Sequence, residues 1–141
     1  MFPLTYNQRA IWFDQQLFPF TALYNVSVYT RIHAEVDPII LEKAIRIMVE
    51  QNDVFRSVFC ETDGVPSQLF RSPDTSDPCY IDYFDFSKEQ DPEQVCQDWM
   101  SHTATIPLTY GENDLYAFAL LKKSDREYFW YLKVHLSLIH I

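Results

Sequence analysis

The strongest constraint on the fold comes from two segments rich in β-forming residues, LYAFALL at residues 115–121 and EYFWYLKVH at residues 127–135. Both carry apolar side chains at odd and even positions, which is typical of strands buried on both faces. The polar stretch between them, KKSDR, predicts the turn of a hairpin. We therefore expect a sheet that is covered on both sides.

Three other segments predict helices. Residues 5–17 open with Thr5, which suits an N-cap, and residues 37–52 open with Asp37 as a cap and Pro38 at the first helical position. Residues 91–106 start with another Asp-Pro pair. The face expected to pack comprises Leu41, Ala44, Ile45 and Met48 in the second helix, and Val95, Trp99 and Ile106 in the third.

The remaining periodic segments predict strands. Residues 24–36 alternate, and residues 54–60, 68–71 and 79–86 are rich in β-formers. The side chains expected to face inward from the first of these are Val26, Val28, Ile32 and Ala34. The order of helices and strands predicts an α/β fold, a two-layer αβ sandwich with a mixed sheet, in a chain the size of one domain.

Composition excludes several classes of function. The 141 residues carry a net charge of −9, which would repel nucleic-acid phosphates. With two glycines in the whole chain, no glycine-rich phosphate loop is present. We find neither an apolar leader nor an apolar run long enough to span a membrane, so we expect a cytoplasmic protein that binds no membrane.

The three cysteines, Cys60, Cys79 and Cys96, have no spacing typical of zinc ligands, and their odd number suggests no disulfide framework. We therefore expect no metal site. No nucleophile paired with a base is visible in the sequence either.

His135 is the residue most open to a catalytic interpretation. It ends the last predicted strand, on the same face as Phe129, Tyr131 and Lys133, and could reach a cleft at the end of the sheet. A single histidine at a strand end is more often structural, so the residues alone leave both roles open. Arg56, inside an apolar segment, is most simply a structural ion-pair partner.

One motif adds information that periodicity does not. PLTYNQRAIWFDQQL, at residues 3–17, resembles the first motif of condensation domains of nonribosomal peptide synthetases, Ser-x-Ala-Gln-x-Arg-Leu-Trp. Gln8 and Trp12 match it, Thr5 stands for the serine, and Ala10 departs from the arginine. The following Tyr24-Asn25-Val26 resembles the family's usual entry into its first strand.

A second motif supports the same family. QNDVFRSVF, at residues 51–59, resembles Arg-His-Glu-x-Leu-Arg-Thr-x-Phe. Arg56 and Phe59 match, Asp53 and Ser57 are conservative replacements, and the first two positions depart. The two motifs, with a capped helix between them and a hairpin running into Val-His, cover nearly the whole chain.

The resemblance implies one lobe of a chloramphenicol acetyltransferase-like fold, in which two lobes enclose a tunnel. Such domains form an amide bond between a donor acyl or peptidyl thioester and an acceptor aminoacyl thioester. Both are held on phosphopantetheine arms of carrier proteins, so the implied partners are carrier domains, adjacent synthetase modules and a C-terminal lobe. No cofactor bound directly to the domain is implied.

The family's active motif, His-His-x-x-x-Asp-Gly, implies where function resides and what is missing. His135 matches the first histidine, but Leu136 occupies the position of the second, functional histidine, and His140 and Ile141 occupy those of Asp and Gly. We therefore expect residues 1–135 to be the N-terminal lobe and residues 136–141 to be a non-native or frame-shifted tail. We also expect the chain itself to be inactive.

Two alternatives remain open. The chain could be a degenerate module that docks carrier proteins or acts as a scaffold. It could also come from a related acyltransferase that forms esters.

Overall fold

The computed structural model describes residues 1–72, 81–111 and 114–139. Within these residues, three helices and seven strands follow one another. The elements are β1 (Phe2–Pro3), α1 (Tyr6–Leu17), β2 (Asn25–Ile32), α2 (Pro38–Gln51), β3 (Ser57–Thr62), β4 (Val65–Phe70), β5 (Ile81–Asp85), α3 (Pro92–Ala104), β6 (Tyr116–Ser124) and β7 (Glu127–His135). Short 3₁₀ turns occupy Asp53–Arg56 and Leu136–Leu138. The expected α/β fold with a mixed sheet is confirmed.

The larger sheet has four strands in the order β2-β7-β6-β5. Only β5 and β6 are parallel, and β6 and β7 form the expected hairpin with a turn at Asp125–Arg126. Helices pack on both faces, as the apolar pattern of β6 and β7 predicts. On one face, α3 contributes Cys96 and Met100 to a cluster with Phe129 and Tyr131.

The other face of this sheet is covered by α2. Ile45 is buried against Phe118, and the partly buried Leu41 and Met48 pack beside them. The helix begins where predicted, because an oxygen of Asp37 accepts hydrogen bonds from the first free backbone N–H groups, including that of Ile39 at 2.8 Å.

Four inward positions were predicted wrongly. One of them, Ala34, is exposed because β2 ends at Ile32, before the predicted end of the strand. Ala44 in α2 is exposed, and Ile106 is 48% exposed because α3 ends at Ala104, before the helical face reaches it. Val28 is 53% exposed because β2 is the edge strand of the sheet. Burial along β2 therefore does not follow the alternation of its sequence, because this strand lies at the uncovered edge of the sheet.

A second sheet has three strands in the order β1-β4-β3. Its Phe59 packs with Trp12 of α1 and with Leu138 in a buried cluster that is distinct from those on the larger sheet. Strand β3 begins at Ser57, three residues later than the sequence pattern suggested. The preceding residues, Asp53–Arg56, form a 3₁₀ turn instead, so Arg56 lies before the strand and not inside it. The first residues of the strand predicted at 79–86, Cys79 among them, lie outside the described residues.

Helix α1 joins the two parts of the fold. Thr5 and Gln8 form a capping box at its N-terminus, with the Thr5 N–H donating to Gln8 Oε1 at 2.9 Å. The buried side chains of the helix are Gln8, Ile11, Trp12 and Gln15. Among the described residues, no helix is long and apolar enough to cross a membrane.

Candidate functional site

His135 lies at the end of β7, directly opposite Asn25 of β2. Its backbone N–H donates to the Leu115 carbonyl at 2.8 Å, and that of Leu136 donates to the Tyr24 carbonyl at 2.8 Å. The residue is only 1% exposed. The structure thus places the imidazole in the core and not in an open cleft, which differs from the sequence expectation because α1 covers this end of the strand.

One nitrogen of the imidazole is bound to α1. His135 Nε2 lies 2.5 Å from Gln15 Oε1. The amide nitrogen of Gln15 donates to the Leu108 carbonyl at 3.0 Å, so the oxygen of that amide must face the ring. Since this oxygen can only accept, the ring proton belongs on Nε2.

The other nitrogen is held by the turn that follows the strand. His135 Nδ1 lies 2.7 Å from Ser137 Oγ, and the Ser137 backbone N–H donates to Nδ1 at 3.3 Å. A backbone N–H can only donate, which again leaves Nδ1 unprotonated. Both sides of the ring therefore select the same neutral tautomer.

The surroundings of the ring also favour its neutral form. The Tyr110 ring meets it edge-on with centroids 4.9 Å apart, and the Tyr24 ring lies 5.9 Å away. Burial lowers the pKa of His135 to about 4. A neutral imidazole with both nitrogens bonded and no exposed edge is suited to holding structure, so a catalytic role for His135 remains a prediction.

Gln8, a residue of the first motif, is fully buried and extends the same polar network. Its amide nitrogen donates to the Ser137 carbonyl at 3.2 Å and lies 3.3 Å from the side-chain oxygen of Gln68 in β4. Gln8 thus connects the helix N-terminus, the three-stranded sheet and the turn after His135. The structural role of Gln8 is therefore to hold these three parts together by buried hydrogen bonds.

The apolar motif residues surround this network. Trp12 and Phe59 are buried with ring centroids 6.5 Å apart, and Tyr110 packs against both, at 4.6 and 5.1 Å. Leu138 belongs to the same cluster.

Two polar atoms in this cluster lack a well-formed partner among the described residues. They are the indole N–H of Trp12 and the hydroxyl of Tyr110. Burial raises the pKa of Tyr110 to about 12, an effect that the nearby Ser137 hydroxyl only partly offsets.

Tyr24 and Asn25 connect the site to its flanks. The Tyr24 hydroxyl donates to a carboxylate oxygen of Asp14, a contact that raises its pKa. Asn25 donates from Nδ2 to the carbonyls of Ala104 and Ile106, at 2.9 and 2.8 Å, and so holds the end of α3. Both residues therefore adjoin the His135 end of β7.

Arg56 is the one predicted motif residue that lies apart from this site. It pairs with Asp53 of its own 3₁₀ turn and donates to the Arg71 carbonyl, while its Nε has no partner among the described residues. The expected ion pair is present, but it lies within one turn and does not connect a helix to the sheet.

Sequence reasoning missed Gln15, Ser137 and Lys133. A signal for Gln15 was available, because Gln8, Ile11, Trp12 and Gln15 follow the spacing of one helix face. Lys133 is 3% exposed and donates to the carbonyls of Thr103 and Ile106, at 3.0 and 2.9 Å. Its position on the apolar face of β7 gave no indication of these partners.

Leu136 occupies the first position of the 3₁₀ turn and is half-buried. Ser137 and Leu138 after it are buried, whereas His140 and Ile141 lie outside the described residues. No group of three or more His, Cys, Asp or Glu side chains in the described part of the chain could hold a metal ion. The site therefore presents a leucine, and not an ionisable group, at its position after His135.

Comparison with known proteins gives a consistent family match. The family model described as Condensation domain matches residues 1–139. A dimodular nonribosomal peptide synthase of Bacillus subtilis (strain 168) is 31% identical over 135 residues, which cover 95% of this chain and 6% of that protein. An isonitrile lipopeptide synthase of Streptomyces coeruleorubidus is 26% identical, with coverage of 94% and 9%.

Solved structures agree with the sequence comparison. The starter condensation domain of rhizomide synthetase RzmA superposes with a TM-score of 0.87 at 29% identity, covering 96% of this chain and 34% of that one. The first condensation domain of the CDA synthetase gives a TM-score of 0.86 at 27% identity, with coverage of 95% and 35%. The chain thus spans about a third of each solved chain and less than a tenth of either synthetase.

Proposed function

The chain belongs to the condensation-domain family, and on that premise we propose that it contributes the N-terminal lobe of a domain that forms amide bonds in nonribosomal peptide synthesis. The observation that carries the proposal is the position of β7. This strand ends at His135, which resembles the first histidine of the family motif, within a fold that superposes on solved condensation domains over nearly its full length.

The proposed reaction transfers the acyl group of a donor thioester to the amine of an acceptor thioester. The amine of an acceptor aminoacyl thioester attacks the carbonyl of a donor acyl or peptidyl thioester; a C–N bond forms, the C–S bond breaks and the thiol of the donor arm leaves. The amine must also lose a proton. Because the thioester is already activated, alignment of the two substrates and handling of that proton are the main demands on the protein.

The proposed partners follow from this reaction. Both substrates would arrive on phosphopantetheine arms of carrier domains, with no cofactor bound by this chain itself. The C-terminal lobe and the adjacent synthetase modules are the other partners we propose. Substrate identity would depend on surfaces from both lobes.

Position 136 limits what this sequence can do. Leu136 follows His135 where the resemblance places the functional histidine, and a leucine side chain cannot accept a proton. The buried His135 cannot substitute for it, because both its nitrogens are bonded within the core. We therefore propose that this sequence does not catalyse amide formation as it stands.

The same leucine supports a second candidate function, a module that docks carrier proteins without turnover. A third candidate is formation of an ester by a related acyltransferase. All three candidates involve carrier-bound or similar thioesters. They differ in whether a product is formed and in whether the acceptor is an amine or an alcohol.

A chimaeric domain would separate these functions. Residues 1–139 of this chain would replace the matching segment of the Bacillus subtilis relative's condensation domain, so that the relative's own sequence continues from there. With Leu136→His in the replaced segment, we expect amide product on the acceptor carrier when both carriers bear phosphopantetheine, and none with carriers that lack it. Binding of carriers without product would support the docking module, and product only with an alcohol acceptor would support the ester-forming enzyme.

A further inference from the structure

The proposal concerns Gln15, a buried residue that no motif in the sequence singled out. It rests on the proposed function, since it identifies what positions the residue after His135. We infer that Gln15 is a positioning residue that holds the His135 ring in one tautomer and one orientation, and through that ring sets the backbone turn at residue 136.

The first step is that the Gln15 amide has only one orientation available. It is 3% exposed, and its two ends face different partners, the Leu108 carbonyl and the His135 ring. Turning the amide over would place its oxygen against the Leu108 carbonyl and its NH₂ group against Nε2. Two acceptors would then face each other, which is unfavourable in a buried site.

The second step is that the ring transmits this orientation to the following turn. With the proton fixed on Nε2, Nδ1 is a free acceptor for the Ser137 N–H and hydroxyl. These bonds close the 3₁₀ turn Leu136–Leu138 around the ring. A flipped ring would lose the bond to the Ser137 N–H and leave a buried donor unpaired.

The third step is that residue 136 is held through its backbone and not through packing of its side chain. Its backbone N–H donates to the Tyr24 carbonyl, while its side chain is only half-buried and lies in none of the three buried apolar clusters formed by the described residues. The direction of the side chain at position 136 therefore depends on the turn. The His135 ring holds this turn through Ser137, together with the Gln8 amide on the Ser137 carbonyl and the Ile139 N–H on the Leu136 carbonyl. In a domain with a histidine at that position, the same contacts would direct it.

The direct test is nuclear magnetic resonance of the histidine side chains in the full 141-residue chain, labelled with ¹⁵N. For His135 we expect a single neutral tautomer at neutral pH, with the proton on Nε2 and slow exchange of that proton with water. A proton on Nδ1, or averaged signals from two tautomers, would overturn the proposal without any variant.

A matched pair of variants extends the test. Gln15→Met removes the acceptor at similar length, and Gln16→Met changes the exposed neighbour on the same helix. We expect only Gln15→Met to lose the slowly exchanging Nε2 proton and to shift the backbone amide signal of Leu136. If a folded Gln15→Met protein keeps both signals unchanged, Gln15 does not position the ring. If the variant does not fold, the tautomer seen in the wild-type spectrum decides whether the proposal stands.

Activity gives a separate readout. In the chimaera that carries Leu136→His, we expect Gln15→Met to lower kcat by up to about 100-fold, with KM for the loaded carriers unchanged, because alignment is lost and binding is not. An inactive chimaera combined with the expected tautomer would contradict the proposed function alone. An active chimaera combined with the opposite tautomer would contradict the positioning role alone.

Discussion

His135 makes the stability of this chain sensitive to pH in a defined range. The buried ring has a pKa of about 4, against 6.5 for an ordinary histidine, so the unfolded chain binds a proton at higher pH than the folded one. The stabilisation is therefore fully present above pH 6.5 and is lost as the pH falls from 6.5 to about 4. The bonds from Lys123 and Arg31 lower the pKa of Glu93 to about 2. Its contribution to stability is therefore lost only as the pH falls below about 4.5.

We expect the free energy of unfolding to fall by about 1.2 kcal/mol between pH 6 and 5, because the folded and unfolded chains differ there by nearly one bound proton. Denaturant titrations at several pH values would measure it. His33→Gln, which removes an exposed histidine, should show the same fall. A free energy that stays constant between pH 6.5 and 4.5 would show that the His135 ring is accessible to protons in the folded state.

The residues of the site could be predicted from the sequence only in part. The motif resemblance identified Gln8, Trp12, Tyr24, Asn25 and Phe59, all of which lie around His135 in the structure. The helical spacing of α1 would also have placed Gln15 on the buried face. Its partners could not be found in this way, because Leu108 and His135 are about 90 and 120 positions away in the chain.

At the level of elements, Lys133 connects strand β7 to the end of α3. Its ammonium group donates to two carbonyls near the C-terminus of the helix, where a positive charge also interacts favourably with the helix dipole. Burial lowers the pKa of Lys133. The residue therefore supplies donors for carbonyls at the point where α3 leaves the sheet.

We expect Lys133→Met to destabilise the chain by about 1–2 kcal/mol, since it removes two charged hydrogen bonds at a buried site. Chemical denaturation would measure the loss. The matched control is Lys43→Met, on the exposed side of α2, which should change the stability by less than about 0.5 kcal/mol. Equal effects of the two substitutions would mean that Lys133 contributes little beyond its methylene groups.

Local signals predicted most element bounds. Caps located the starts of the helices, and β7 has the bounds that its sequence pattern predicted. The errors have a tertiary cause. Position 28 lies on an edge strand, and position 106 lies beyond a helix end, so regular periodicity did not correspond to burial there. The division of the strands into two sheets depends on long-range pairing that no local pattern encodes.

At the scale of the whole molecule, apolar side chains are concentrated on one surface segment. Several residues of α1 and the loop after it are more than half exposed: Tyr6, Phe13, Leu17, Phe18, Phe20 and Leu23. Exposed apolar surface of this kind promotes association in isolated proteins. The core on the other side of α1 does not depend on these side chains.

We therefore expect the 141-residue chain to self-associate as its concentration rises. Sedimentation velocity should show this, and the double variant Leu17→Ser, Phe20→Ser should reduce it while leaving the unfolding midpoint nearly unchanged. Ile47→Ser, at an exposed position in α2, is the control for a general effect of lower hydrophobicity. A monomeric chain at every concentration would contradict this prediction.

The central claim is that residue 136 decides whether this sequence can support amide formation, while His135 holds the structure around it. The most direct measurement compares single-turnover amide formation by two chimaeras that differ only at that position, one with Leu136 and one with Leu136→His. We predict product only from the second. Equal rates from both chimaeras, or product from the one with leucine, would contradict the claim.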